Sequence, residues 1–188
     1  MVTVSPVDAA RWDDLTSLFG ANGAYSGCWC MWWRVAGRQF SAMGNAGNKA
    51  ALRELAAAGR PLGLLAYADN EPVGWASVAP RDDFPRLLRS NTLKLSEDSG
   101  VWSVPCFYIS RKHRGSGVAT ALLASAVEHA SSSGAEVLEG YPVDLSSGRQ
   151  PPAAELYTGT TGLFESAGFA VHARPQSGRR VVMRHSLH

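Results

Sequence analysis

The chain carries little charge of either sign. Its 188 residues hold 18 Lys and Arg against 16 Asp and Glu, a formal net charge of +2. So mild a balance argues against a nucleic-acid partner or a membrane surface, either of which calls for a concentrated basic face. Cysteine is scarce: there are 3, at Cys28, Cys30 and Cys106. An odd count argues against a disulfide framework. Cys28-Trp29-Cys30 has no second cysteine pair to complete a metal site, and the five histidines show no ligand spacing, so no metal is expected. The opening residues Met1 to Asp8 contain neither a basic start nor an apolar segment, so no secretory leader is read there. No apolar run approaches the roughly 18 residues that span a bilayer. The expectation is a cytoplasmic protein.

What the chain does have is core-forming material. Hydrophobic residues make up 45% of it, in a length suited to one domain, read as residues 1–188. Val2 to Ser5 reads as a strand, and Pro6 and Asp8 start a helix running to Phe19. Residues 20 to 47 are rich in glycine and aromatics, with little periodicity. Asn48 reads as the N-cap of a helix from Lys49 to Ala58, ended by Gly59. Pro61 to Tyr67 and Pro72 to Ala79 read as a hairpin across Asp69-Asn70-Glu71. A short helix is expected near Phe84 to Arg89, a strand from Val101 to Ser110 and a long helix from Gly115 to Ser131. A strand from Val137 to Val143 follows. A Ser/Gly/Pro-rich excursion then covers 144–158, and a helix runs from Thr160 to Ala167. Phe169 to Arg174 and Arg179 to Arg184 make a last hairpin.

The most telling stretch joins strand to helix at Ile109-Ser-Arg-Lys-His-Arg114-Gly115-Ser116-Gly117-Val118-Ala119. Backbone N–H groups converging at a helix start form a positive concavity suited to pyrophosphate. Gly115 and Gly117 let the backbone approach an anion closely, and Arg114 adds a permanent charge. No Lys-Ser/Thr follows the last glycine, so this is not a P-loop. The third glycine of the dinucleotide fingerprint is missing too.

Arg114-x-x-Gly117-x-Ala119, at a strand-to-helix junction, resembles the Arg/Gln-x-x-Gly-x-Gly/Ala motif of the GNAT superfamily of acyl-CoA N-acyltransferases. The order of elements from Val2 to His185 is similar to that family's, and Gly168-Phe169 after a short helix matches a second landmark. The resemblance implies an α/β (α+β) fold: a mixed, mostly antiparallel twisted sheet of about seven strands flanked by helices. It implies acetyl-CoA or another short acyl-CoA as co-substrate, and a small-molecule or peptide amine as acceptor. Phe107, Tyr108 and Ile109 would offer main-chain groups to the pantetheine arm, and a backbone N–H there would stabilise the oxyanion. Gly115, Ser116, Gly117, Val118, Ala119 and Thr120 would offer N–H groups to the pyrophosphate.

Two departures from the family pattern bear on mechanism. Many members place a glutamate three residues before the position of Ile109; here that residue is Cys106. Members commonly carry a tyrosine four residues before Gly168-Phe169; here it is Phe164. Cys106 serves as a base only with a depressed pKa, and otherwise is a small buried hydrophobe. Glu139 and Asp144 flank the next strand, whose end should open on the same cleft. Tyr157 is the candidate acid, with a packing tyrosine as the alternative.

Cys28-Trp29-Cys30-Met31-Trp32-Trp33-Arg34 packs three of the 6 tryptophans into five residues. The segment either lines an acceptor pocket, with flat surfaces for a cationic or aromatic amine, or buries itself against the sheet. Tyr25, Trp29, Trp33 and Arg34 are its candidate acceptor contacts. A non-catalytic acyl-CoA sensor on the same fold, and a thiol or zinc protein built on Cys28 and Cys30, are the other function classes. A monomer and a homodimer are both compatible with the sequence.

Overall fold

A computed structural model of the chain describes residues 1–93, 95–96, 98–148 and 150–187. Arg149, within the 144–158 excursion, lies outside the described residues. Seven strands form one sheet: β1 (Val2–Pro6), β2 (Gly63–Ala68), β3 (Glu71–Pro80), β4 (Val101–Ile109), β5 (Val137–Gly140), β6 (Ala170–Ala173) and β7 (Val182–Ser186). Their spatial order is β1-β2-β3-β4-β5-β7-β6. Among the described strands, β4 and β5 pair in parallel and the other neighbours are antiparallel. This is the mixed, mostly antiparallel sheet expected. The hairpin between β2 and β3 turns on Asp69 and Asn70, with φ of 50° and 66°. These two residue types tolerate left-handed backbone better than most.

Among the described residues, five α-helices accompany the sheet: α1 (Trp12–Phe19), α2 (Gly37–Ala57), α3 (Pro85–Leu88), α4 (Val118–Ser132) and α5 (Thr161–Ser166). On one face, α4 sets Leu122, Leu123 and Ala126 against Leu64, Ala76 and Val104, with Phe164 of α5 beside them. On the other face, Leu15 and Phe19 of α1 and Leu52 and Ala56 of α2 pack on Leu65 and Trp75.

The second helix corrects the sequence reading. It starts at Gly37, and a kink at Gly44 (φ 59°, ψ −167°) separates its two halves. Asn48 is therefore no N-cap. It lies inside the helix, buried, and donates its side-chain amide to the Gly27 carbonyl at 2.9 Å. The terminal hairpin also differs: β7 begins at Val182, so Arg179 and Arg180 stand outside the strand.

The feature that positions a site is a defect in β4. Ser77 pairs with Cys106, but Ala79 pairs with Ser103. Two steps on β3 thus match three on β4, a bulge at Val104–Pro105 that bends the strand. Pairing of β4 with β5 stops at Val104 and Gly140. Beyond that point the two parallel strands separate, and Pro105, which has no N–H to offer, sits at the divergence. Ser110 N donates to Val73 O at 2.9 Å. By strand alternation, Cys106 and Tyr108 turn their main-chain groups to β3, while Phe107 and Ile109 turn theirs into the gap. At the end of β5, a Cβ on Gly140 would clash with Cε1 of Phe164. The bare glycine lets that ring close the floor of the gap.

Candidate active site

The glycine turn borders the gap. Gly115 and Gly117 have φ of 74° and 82°, a region that costs other residues roughly 1–2 kcal/mol. A Cβ at either would meet nothing within 4 Å, so backbone conformation rather than crowding selects glycine. The first i→i−4 bond of α4 runs from Ala121 N to Gly117 O at 3.0 Å. The N–H groups of Val118, Ala119 and Thr120 precede that bond and lie along a depression also lined by Ile109, His113 and Arg114. Arg114 Nε donates to Ile109 O at 3.3 Å, which ties the cation to the end of β4. Ser116 spends its hydroxyl on His113 O at 2.7 Å. Its side chain is thus a brace for the turn.

On the other side of β4 lies a cleft of about 350 Å³, and its walls are mostly apolar. Cys106, Phe107 and Tyr108 form its base, and Tyr25, Trp33 and Tyr157 are among its walls. Tyr157 stacks on Tyr108 at 6.3 Å between ring centroids and leans on Tyr25 at 5.3 Å. Burial raises the Tyr157 pKa, and the nearby Arg114 only partly opposes that. The phenol therefore keeps its proton across the neutral range. It sits in a short 3₁₀ turn, Glu155–Thr158, at the end of the 144–158 excursion.

Several sequence candidates stand elsewhere. Glu139 is fully buried within the sheet rather than open to the cleft. Its carboxylate accepts from Arg184 Nε at 2.7 Å and Tyr141 Oη at 2.7 Å, and Arg81 Nη1 lies 3.4 Å away. Its strand register opposite Arg184 explains this. Trp29 is a core residue: its indole stacks at 6.2 Å on Trp12, meets Phe19 at 5.5 Å and donates to Asn45 at 2.6 Å. Arg34 is buried, donates to the carbonyls of Pro61 and Leu62, and lies 3.7 Å from Asp83. These placements correct the expectations for Glu139, Trp29 and Arg34. Phe164 is wholly buried between Phe107 and Phe169. Asp144 accepts from the Ser146 N–H at 2.8 Å and pairs with Arg174 at 2.6 Å, which together hold its pKa down at about 2.

The cysteine segment is a strained turn. Trp29 and Cys30 both have positive φ, 46° and 51°, and burial of the Trp29 ring offsets that cost. The turn delivers the Cys30 thiol to 3.7 Å from Cys106 Sγ and 3.0 Å from the Trp75 indole nitrogen. The Cys30 pKa is raised, first by its hydrogen bond to Cys106 and then by burial. Burial pushes Cys28 up to about 12. Neither thiol is a thiolate near neutrality. Among the described residues, no group of three or more His, Cys, Asp or Glu converges in metal-binding fashion, and no helix is long and apolar enough to cross a membrane.

Among the cleft residues that sequence reasoning does not single out are Glu155 and Arg180. Glu155 is the one carboxylic acid among the described lining residues. Each lies in a stretch without periodicity, where neighbours in space are set by turns rather than by spacing.

The model of the Acetyltransferase (GNAT) family matches residues 29–157. No curated protein matches the chain. Among solved structures, the PaiA N-acetyltransferase of Thermoplasma acidophilum, in complex with coenzyme A, superposes with a TM-score of 0.57 at 12% identity over 99% of both chains. Salmonella typhimurium yncA, with its cofactor acetyl-CoA, gives 0.55 at 18%, over 100% of this chain and 94% of the other. The ribosomal-protein-alanine N-acetyltransferase of Brucella melitensis gives 0.56 at 17%, over 98% and 99%. At such identities the likeness is one of fold.

Proposed function

Because the chain belongs to the GNAT acetyltransferase family, we propose that it transfers an acetyl or short acyl group from acyl-CoA to an amine, by direct attack within a ternary complex. The observation that carries this reading is the meeting of two sites on one strand. The glycine turn of α4 and the aromatic cleft both border Phe107–Ile109, where β4 has left β5. Two similar folds were solved with coenzyme A or acetyl-CoA, which supports the same ligand here.

In this reading the diphosphate sits on the N–H groups of residues 115–120, with Arg114 beside it. The pantetheine arm runs through the gap along the main chain of Phe107 and Ile109, whose groups face away from β3. The amine enters from the cleft and attacks the thioester carbonyl carbon. A main-chain N–H in the gap receives the developing oxyanion. The C–S bond then breaks, and the CoA sulfur takes a proton from the Tyr157 hydroxyl. Glu155 accepts the proton shed by the amine. The Cys106 thiol is engaged with Cys30, so it forms the base of the cleft and is a weaker candidate for that role. Holding both reactants together is itself worth roughly 7–11 kcal/mol of barrier. Release of CoA thiol only when an amine is supplied supports this reading. Release at the same rate without one counts against it.

Tyr157→Phe should lower kcat at least about tenfold, with the KM for acyl-CoA nearly unchanged, since a positioned acid contributes roughly 10²–10⁴-fold. An unaltered kcat removes Tyr157 from the chemistry. Glu155→Gln should be as slow near neutrality but recover as pH rises, because the amine then loses its proton to solvent. A constant deficit across pH assigns Glu155 a positioning role instead.

A further inference from the structure

Beside the acceptor cleft, and sharing Trp32, Trp33 and Arg180 with it, lies a second cavity of about 660 Å³. Four arginines line it: Arg86, Arg89, Arg179 and Arg180. No carboxylate is among its described lining residues. Among the described residues, Glu155 lies 4.0 Å from Arg179 Nη1. Arg86 places its guanidinium 3.7 Å over the Trp32 ring, and Arg180 lies 5.6 Å from the Trp33 ring centre. Stacking fixes these two cations in place without neutralising them. Arg86 Nε, Arg180 Nε and Arg179 Nη1 are buried and have no hydrogen-bond partner among the described residues. Buried donors of this kind are normally satisfied, and an orphaned set points to a ligand.

We infer that this cavity binds the anionic end of the acceptor, so that the substrate is an amine carrying a carboxylate or phosphate at a distance from its nitrogen. The inference rests on the transferase reading above and narrows its substrate class. The sequence allows two readings of the tryptophan segment, flat faces for a cationic or aromatic acceptor or packing against the sheet. In the fold, guanidinium groups already lie over Trp32 and Trp33, and a second cation would be repelled. The site is instead bipolar. An ammonium entering the first cleft meets Glu155 beside Tyr157, and an acid group beyond Trp33 meets the arginines. Two contiguous cavities suit an extended molecule better than a compact one. Guanidinium forks recognise carboxylate and phosphate alike, so both acid types belong to the class.

The test uses ω-amino carboxylates of increasing chain length, ω-amino phosphates and the neutral primary amides of the carboxylates. Each is titrated into the full chain by calorimetry, with CoA saturating so that the glycine turn is filled. At the best length, the acid should bind at least about tenfold tighter than its amide, the scale of one charge-assisted hydrogen bond. Arg86→Gln with Arg180→Gln should abolish that preference, and Arg180→Lys should keep part of it. Arg89→Gln, at an exposed side chain, should weaken the preference several-fold without disturbing packing. Equal affinity for acid and amide, a preference that survives the double variant, or no binding of either probe overturns the inference. The relative affinities of carboxylates and phosphates decide between the two acids. Acid-selective binding with no transfer of acetyl to any amine sinks the transferase reading and leaves the anion site. Transfer at equal kcat/KM to acid and amide does the reverse.

Discussion

Glu139→Ala should cost about 3–5 kcal/mol of folding stability, the usual penalty for removing one member of a buried ion pair. The carboxylate is fully buried and accepts from Arg184 and Tyr141 at 2.7 Å each, with Arg81 at 3.4 Å. Tyr141 in turn shares a 2.7 Å hydrogen bond with Ser103 of β4. The network therefore ties β4, β5 and β7 together below the point where β4 and β5 part. Without Glu139, the Arg81 guanidinium keeps, among the described residues, its bonds to the carbonyls of Ser96 and Asp98, and it loses its buried carboxylate partner. Glu139→Gln should fall between the two, because it keeps an acceptor oxygen but loses the charge. Chemical denaturation measures the loss. The folded fraction should retain kcat within a few-fold. A large fall in kcat with unchanged stability would restore Glu139 as a base.

Gly117→Asp should weaken CoA binding by about a hundredfold or more, or roughly 3 kcal/mol. The position has φ 82° and no atom within 4 Å of a Cβ, so the protein can accommodate the side chain sterically. Aspartate also tolerates left-handed backbone better than most residues. What it changes is the field: a negative charge enters the concavity formed by the N–H groups of Val118, Ala119 and Thr120, where an anion should sit. Gly117→Ala provides the control. It introduces the backbone strain without the charge, and its CoA affinity should stay within about tenfold of wild type, given roughly 1–2 kcal/mol of strain. Calorimetry of the two variants separates charge from strain. Unchanged affinity in Gly117→Asp would mean that the diphosphate lies elsewhere.

The sequence showed some parts of this arrangement better than others, for physical reasons. The turn Arg114–Gly117 was legible because strand, glycines and helix are contiguous and each carries its own local signal. Asp69-Asn70 marked its hairpin for the same reason. The first half of α2 was hidden, since Gly37, Gly44 and Gly47 disguise a helix held by packing, including Phe40 against Trp32 at 5.2 Å. Glu139 was misread because alternation places it on a strand without saying that Arg81 and Arg184 converge on it from distant elements. Trp29 and Trp33 are four residues apart and part company because left-handed backbone at Trp29 and Cys30 buries one indole and leaves the other at the cleft. The arginine cavity depends on residues from two distant segments, 86–89 and 179–180, and no local pattern announces that juxtaposition. Phe164 has no proton to give whatever the fold, and its place against Gly140 appears only in three dimensions.

The most direct measurement is transfer of an isotopic label. Acetyl-CoA labelled in its acetyl group is incubated with the chain and a panel of amines, and both the label in each amine and the free CoA thiol are quantified. The account predicts label in an acid-bearing amine, matched one for one by released thiol, with both signals reduced in Tyr157→Phe. Tight binding of acetyl-CoA with no label reaching any amine would contradict it and leave a fold that binds acyl-CoA without transferring its acyl group.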